Sequence, residues 1–232
     1  AVSYNRGNPW QWCRAPGPVI DMVVSAEETV YVVLPGGHIS KTTDSGWIWQ
    51  DSVDTGLSGI NMLAIAGNGT ILVGGRDGEV AYSTDGGDNF TQISEAIDGD
   101  DVQVVADANF EENGTIYAAN NTPDSGVWRW TVGASDEWKQ IDKSIYKAGG
   151  GQCISGLAIG PEGTLYALRS EPASVNSGGM VRSLNPLAPI PSEVEFDLVN
   201  DALPEDTVFD PTAVFPNTLP YLKLSENAEQ NE

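Results

Sequence analysis

An all-β fold of repeated four-stranded antiparallel blades, a β-propeller, is predicted by three observations. The pattern Ser/Thr-x-Asp-x-Gly-x-x-aromatic occurs twice, at 42–49 and 83–90, with its copies 41 residues apart. A second string, Gly-Thr-Ile/Leu-Leu/Tyr, recurs at Gly69, Gly114 and Gly163. Between these marks, 26 Gly and 14 Pro break up short runs rich in Val, Ile, Thr and Tyr, the composition of strands joined by tight turns. A fixed-period repeat of this length sets the architecture before any other signal.

Each unit reads as four strands, A to D. In the first, A is 20–24, B is 29–34, C is 38–43 and D is 47–53, with Pro35-Gly36-Gly37 turning B into C. In the second, the strands are 61–66, 70–74, 79–84 and 89–93, and Gly67-Asn68-Gly69 turns A into B. Asn-Gly is a strong hairpin signal because both turn positions favour positive φ. The third unit is longer and its pattern has decayed, with strands at 102–106, 115–119, 127–132 and 137–141 and a turn at Glu112-Asn113-Gly114. The fourth has strands at 154–159, 164–169, 180–184 and 194–199.

The ends read as partial blades. Trp10-Gln11-Trp12-Cys13 precedes the first unit as Trp47-Ile48-Trp49-Gln50 precedes the second, so residues 1–13 look like strands C and D of an earlier blade. Residues 221–225 look like strand A of a fifth, against the competing reading of a frayed acidic tail. The expected layout is one propeller segment: a partial blade at 1–19, blades at 20–58, 59–100, 101–152 and 153–200, and a partial blade or tail at 201–232. It is expected to belong to a longer propeller.

Charge and cysteine content exclude several functions. Thirty-three acids against 11 bases give a formal charge of −22, so no basic stripe exists to displace counterions from nucleic acid. Such a surface attracts cations or basic partners, or simply keeps the exterior soluble. No apolar run approaches the roughly 20 residues that span a bilayer. One His and no CxxC leave no framework for structural zinc. Cys13 and Cys153 are either a candidate disulfide or two small thiols. The four Asn-x-Ser/Thr sequons, Asn68, Asn89, Asn113 and Asn120, are candidate glycosylation sites, two of them explained by turn chemistry alone.

In the two eight-residue boxes, Asp44 and Asp85 are placed to accept backbone N–H groups and close the C–D hairpin. Thr42 and Ser83 open the pattern. Gly46 and Gly87 supply backbone freedom, and Trp49 and Phe90 are expected to return to the blade interface. These motifs resemble the Asp-box, or BNR, repeats of sialidase-like and sortilin-like propellers, which also occur in photosystem assembly propellers and xyloglucan-cleaving hydrolases. The resemblance implies blade architecture and says little of function, since one fold hosts unrelated activities.

Alternating hairpins put the A–B and C–D turns on one face, and the B–C turns and D–A connections on the other. The resemblance implies that ligands bind the second face. It would carry His38, Arg76, Asp77, Glu79, Arg169 and Glu171, with Asp98, Asp100, Asp101, Tyr146 and Lys147 from the D–A connections. Sialidase chemistry would draw on Arg76, Arg169 and Tyr146, but the Arg-Ile-Pro motif of that family is absent. A two-carboxylate glycosidase would draw on Asp77 and Glu171. Asp98, Asp100 and Asp101 form the densest acidic cluster, a Ca²⁺ candidate that lacks the twelve-residue loop pattern; no other cofactor is expected. The function expected first is a non-enzymatic extracellular or cell-surface interaction module that binds a protein or glycan and belongs to a larger assembly. Residues 142–152 and 171–179 are its expected contact loops. Its partners include further blades of the same chain or other copies of it. The alternative is a carbohydrate-active propeller using the face opposite the boxes.

Overall fold

The structure, a computed structural model, describes residues 1–4, 6–123, 126–142, 153–170 and 179–199, and the strand residues 208–209 and 224–225. Four four-stranded antiparallel sheets follow one another along the chain, each with its strands paired in sequence order. Blade one is β1 (Asp21–Val24), β2 (Val30–Leu34), β3 (His38–Thr42) and β4 (Val53–Asp54). Blade two is β5 (Ile60–Ile65), β6 (Ile71–Gly75), β7 (Val80–Ser83) and β8 (Thr91–Gln92). Blade three is β9 (Val102–Ala106), β10 (Thr115–Asn120), β11 (Val127–Thr131) and β12 (Lys139–Gln140). Blade four is β13 (Cys153–Ile159), β14 (Leu165–Ser170), β15 (Gly179–Ser183) and β16 (Asp197–Leu198). Of the expected fifth-blade strand at 221–225, Leu224–Ser225 (β18) is described, paired with Val208–Phe209 (β17).

Strand register explains how the blades stack. Met22, Val24, Val30 and Val32 of blade one stand in the same cross-strand positions as Leu63, Ile65, Ile71 and Val73 of blade two. The same positions hold Val104, Ala106, Ile116 and Ala118 in blade three, and Leu157, Ile159, Leu165 and Ala167 in blade four. In blades two to four this set packs against the preceding blade. The alternate residues, such as Val23, Tyr31 and Val33 in blade one, face the following blade. Period-two alternation thus buries both faces of an interior blade. Leu72, Tyr117 and Leu165 are fully buried, each worth about 1.5–3 kcal/mol relative to exposure.

The first strands β1, β5, β9 and β13 lie against one another in series. Asp21 and Met62, at equivalent register, each reach the next first strand: Asp21 Oδ2 accepts from Leu63 N at 2.9 Å and Met62 Sδ from Val104 N at 3.1 Å.

Three expectations need correction. Each fourth strand is two residues long, shorter than the five to seven the pattern suggested. The residues after each box stay in the turn because the box aspartate binds their amides. The A–B turn of blade three contains a short helix, α1 (Phe110–Asn113), closed by Gly114 at φ 61°. Cys13 and Cys153 are not joined in a disulfide, because one lies beside blade one and the other opens β13, three blades away.

Candidate functional site

The two boxes build the same turn from the same bonds. Gly46 N donates to Thr42 Oγ1 at 3.0 Å, and Gly87 N to Ser83 Oγ at 2.9 Å. Thr42 Oγ1 donates to Asp44 Oδ1 at 2.7 Å, and Ser83 Oγ to Asp85 Oδ1 at 2.8 Å. Asp44 then receives Trp47 N and Ile48 N, while Asp85 receives Asn89 N and Asn89 Nδ2. Gly46 and Gly87 both sit at φ 91°, where a side chain would be strained. The Ile48 amide and the Thr42 hydroxyl hold the Asp44 carboxyl below its ordinary range. The side chain and amide of Asn89, with the Ser83 hydroxyl, pull Asp85 down to about 2.

The box aromatics behave differently from each other. Phe90 is half-buried and packs on the core between blades one and two. Trp49 is half-buried beside residues 1–15, lining a cavity there. Trp47 and Ile48 are exposed, and Trp47 Nε1 donates to Tyr4 Oη at 3.2 Å.

Hydrogen bonds fix the two faces. Ser45 N donates to Glu28 O, joining the C–D turn of blade one to its A–B turn. On the opposite side, Thr55 N donates to Gly37 O, and Ile97 N to Gly78 O, joining D–A connections to B–C turns.

That opposite face gathers an acidic network across blades two and three. Ser58 Oγ lies 3.1 Å from Asp77 Oδ2 and 3.0 Å from Glu79 Oε2, and Ser58 N donates to Glu79 Oε2. Gln92 Nε2 caps the other oxygen of Glu79 at 3.1 Å. Asp77 stands at φ 55°, and its amide donates to Asp100 Oδ1 at 3.4 Å. Arg76 Nε meets Asp101 Oδ1 at 3.8 Å. Asp100 N is held by Thr122 Oγ1, and Asp98 O by Asn120 Nδ2. The structure therefore brings together Arg76, Asp77, Glu79, Asp100 and Asp101, with Asp98 on the same connection. His38 opens β3, with Nδ1 2.8 Å from Gly36 O. Arg169 lies near the end of β14 on blade four.

Other candidates part company. Glu171, Tyr146 and Lys147 lie outside the described residues, as do 143–152 and 171–178 of the expected contact loops. Asp98, Asp100 and Asp101 do not converge: Asp100 serves the Asp77 amide and Asp101 faces Arg76. Among the described residues no group of three or more His, Cys, Asp or Glu is arranged to hold a metal ion. Of the sequons, Asn120 is fully buried, and the amide nitrogens of Asn113 and Asn89 bond to Asp107 and Asp85. Asn68 is exposed at a turn tip, where its Oδ1 accepts from Thr70 N.

Two further box-like turns escaped the sequence reading. Ser3-Tyr4-Asn5-Arg6-Gly7-Asn8-Pro9-Trp10 fits the pattern once Asn replaces Asp. Gly7 N donates to Ser3 Oγ at 2.8 Å with Gly7 at φ 91°, as in the two boxes. In blade four, Ser183 Oγ bonds Asn185 Oδ1 at 3.2 Å, and Asn185 Oδ1 accepts Glu195 N at 3.0 Å. Allowing Asn beside Asp would have found the first, since either oxygen accepts an amide; the second also carries Leu187 where the box has Gly and Ile190 where it has an aromatic.

A cationic latch also went unseen. Lys41 Nζ donates to Gly86 O, the residue after Asp85 in the next blade, at 3.1 Å. Arg129, at the equivalent place in blade three, donates from Nη1 to Pro186 O at 2.6 Å and Ala188 O at 3.0 Å. Pro186 follows Asn185 as Gly86 follows Asp85, so both cations take the same carbonyl.

No family model and no curated sequence matches this chain. Solved structures do. The GH74 xyloglucanase from Xanthomonas campestris is 14% identical at a TM-score of 0.59, over 82% of this chain and 32% of that one. YCF48 from Cyanidioschyzon merolae is 15% identical at a TM-score of 0.55, over 86% of this chain and 62% of that one. An ancestral GH74 enzyme is 18% identical at a TM-score of 0.54, over 78% of this chain and 25% of that one. The chain spans less than two thirds of the length of each. At such identities the likeness speaks to fold alone: the chain is an all-β propeller of four-stranded antiparallel blades.

Proposed function

We propose that this chain is a non-enzymatic interaction module of the Asp-box propeller type, extracellular or cell-surface, whose face opposite the boxes takes a basic protein partner. The observation that carries this reading is the acidic network. Asp77, Asp98, Asp100 and Asp101 are exposed on one face, with Glu79 half-buried among them. Their contacts include a serine, a threonine, two side-chain amides, backbone amides and an arginine. Such a field steers cationic partners and sets specificity more than raw affinity. A solved YCF48 structure of similar fold is bound to a D1 peptide, which supports peptide recognition on such a scaffold.

The test is titration calorimetry with a lysine-rich peptide at low and moderate salt. Neutralising Asp77, Asp100 and Asp101 to Asn together should weaken binding about tenfold. The matching triple change of Glu111, Glu112 and Glu162 to Gln, on the box side, should not. Equal losses from both sets would reduce the effect to net charge and sink the reading. The carbohydrate-active alternative is supported by the GH74 neighbours and by Asp77 on this face. It requires sugar release from a glycan panel and its loss in Asp77→Asn; no turnover on any glycan would dismiss it.

A further inference from the structure

The dipeptide Asn-Gly occurs twice, at Asn68-Gly69 and Asn113-Gly114. Both copies stand in A–B turns, one between β5 and β6 and the other between β9 and β10. A glycine after asparagine matters chemically, because no side chain shields its nitrogen. That nitrogen closes a five-membered ring with the asparagine's own Cγ once the side chain turns toward it. The two copies share this chemistry and differ in what the fold does to them.

At the first copy, Gly67, Asn68 and Gly69 are all exposed. A Cβ built on Gly69 would meet nothing within 4 Å, so the space around this backbone is open. Gly69 N donates to Ala66 O and Thr70 N to Asn68 Oδ1, each at 2.9 Å. No bond among the described residues holds Asn68 Nδ2, so turning its amide breaks only the Thr70 contact. At the second copy the same nitrogen is held. Asn113 is half-buried, its Nδ2 donates to Asp107 Oδ1 at 2.7 Å, and its Oδ1 accepts from Thr115 N at 2.8 Å. Asp107 is itself buried and takes the Tyr117 hydroxyl at 2.9 Å. Gly114 N donates to Phe110 O at 2.8 Å, and a Cβ built on Gly114 would lie 3.4 Å from Val132 O.

We propose that Asn68 is a site of covalent self-modification, at which the chain reacts with its own backbone and then with water. Hydroxide takes the Gly69 N–H proton, and the nitrogen attacks Asn68 Cγ. The new C–N bond forms as the Cγ–Nδ2 bond breaks, and Nδ2 takes a proton from water and leaves as ammonia. The product is a cyclic imide, which water opens at either C–N bond. Breaking the new bond gives aspartate. Breaking the original peptide bond gives isoaspartate, whose backbone runs through Cγ and is one methylene longer. Aspartate keeps an oxygen for the Thr70 amide, whereas isoaspartate lengthens the turn that the Ala66 carbonyl closes. Either product adds a carboxylate beside Gly67, where a built Cβ lies 3.7 Å from Glu111 Oε1 of the next blade. The modification therefore acts where the A–B turns of blades two and three meet. This is the box side, so the inference does not rest on the reading of the acidic face.

The test is incubation of the intact folded chain in mildly alkaline buffer, followed by peptide mapping for amide-to-acid conversion and for isoaspartate. The expected result is conversion at Asn68 at least about tenfold faster than at Asn113, which must first give up a bond to a charged acceptor. Both aspartate and isoaspartate should form at position 68, at a rate that rises in proportion to hydroxide. In concentrated urea the two sites should convert at similar rates, because the Asp107 contact is then gone. Equal rates in the folded chain would overturn the proposal. So would an unreacted Asn68 over the time in which the unfolded chain converts fully, or conversion to aspartate without any isoaspartate.

Discussion

Asp85 is exposed and collects a hydroxyl, a backbone amide and a side-chain amide, so its carboxyl falls to about 2 from an ordinary 3.8. Asp21 is half-buried beside the first strand of the next blade. Burial raises its carboxyl, against the lowering pull of the Met22 and Leu63 amides. The two residues act on stability in opposite senses. The depressed Asp85 contributes stability that is present above 3.8 and lost as pH falls toward 2. Asp85→Ala should therefore lower Tm by about 2–4 °C at neutral pH, and the gap to wild type should close on acidification. The raised Asp21 favours the folded chain most below 3.8 and loses that contribution as pH rises through its folded value. Asp21→Asn keeps an oxygen for the Leu63 amide and removes the buried charge. Its Tm should exceed that of wild type at pH 7, and the advantage should vanish below the ordinary carboxylate range. Thermal melts across pH read both effects; a D21N variant less stable at every pH would assign Asp21 a hydrogen-bonding role alone.

Among the elements, the strand C cation is the part that sequence patterning did not show. Box aspartates were legible because a turn constrains spacing and residue type together. Lys41 and Arg129 share a register position but sit in strands whose other residues differ, and their acceptors are backbone carbonyls, which carry no side-chain signature. The fourth strands were overestimated for a related reason. Trp47, Ile48 and Asn89 read as β-formers or strand starts by sequence, yet their amides are engaged by Asp44 and Asp85. Hydrophobic alternation located the first three strands of every blade to within a residue, because both faces of each are selected by packing. The half-buried guanidinium of Arg129 joins blade three to the C–D connection of blade four through two carbonyls. Arg129→Met should cost about 1.5–3 kcal/mol, the range for hydrogen bonds to charged groups. Hydrogen exchange should localise the loss to β13–β16, leaving β5–β8 protected as before; uniform loss across all blades would show that the bond acts on global unfolding.

At the scale of the whole molecule, the ledger of charge is one-sided. The formal charge is −22, and the ion pairs Arg76–Asp101 and Lys139–Glu137 are both exposed. Exposed pairs contribute little, with a median of about 0–1 kcal/mol. Uncompensated carboxylates repel across the compact state more strongly than across the expanded one. The balance therefore favours repulsion, and screening should stabilise the fold. Raising salt from about 10 mM to about 100 mM shortens the screening length from roughly 30 Å to roughly 10 Å. Tm should rise over this interval at neutral pH. The rise should be smaller in the variant with Asp77, Asp100 and Asp101 changed to Asn, because the densest patch is then already relieved. A sodium chloride series by calorimetry decides this, with potassium chloride run in parallel to separate screening from ion-specific binding. If Tm falls with salt in both, attraction rather than repulsion governs the surface, and the acidic face would have to be held by pairings that screening breaks.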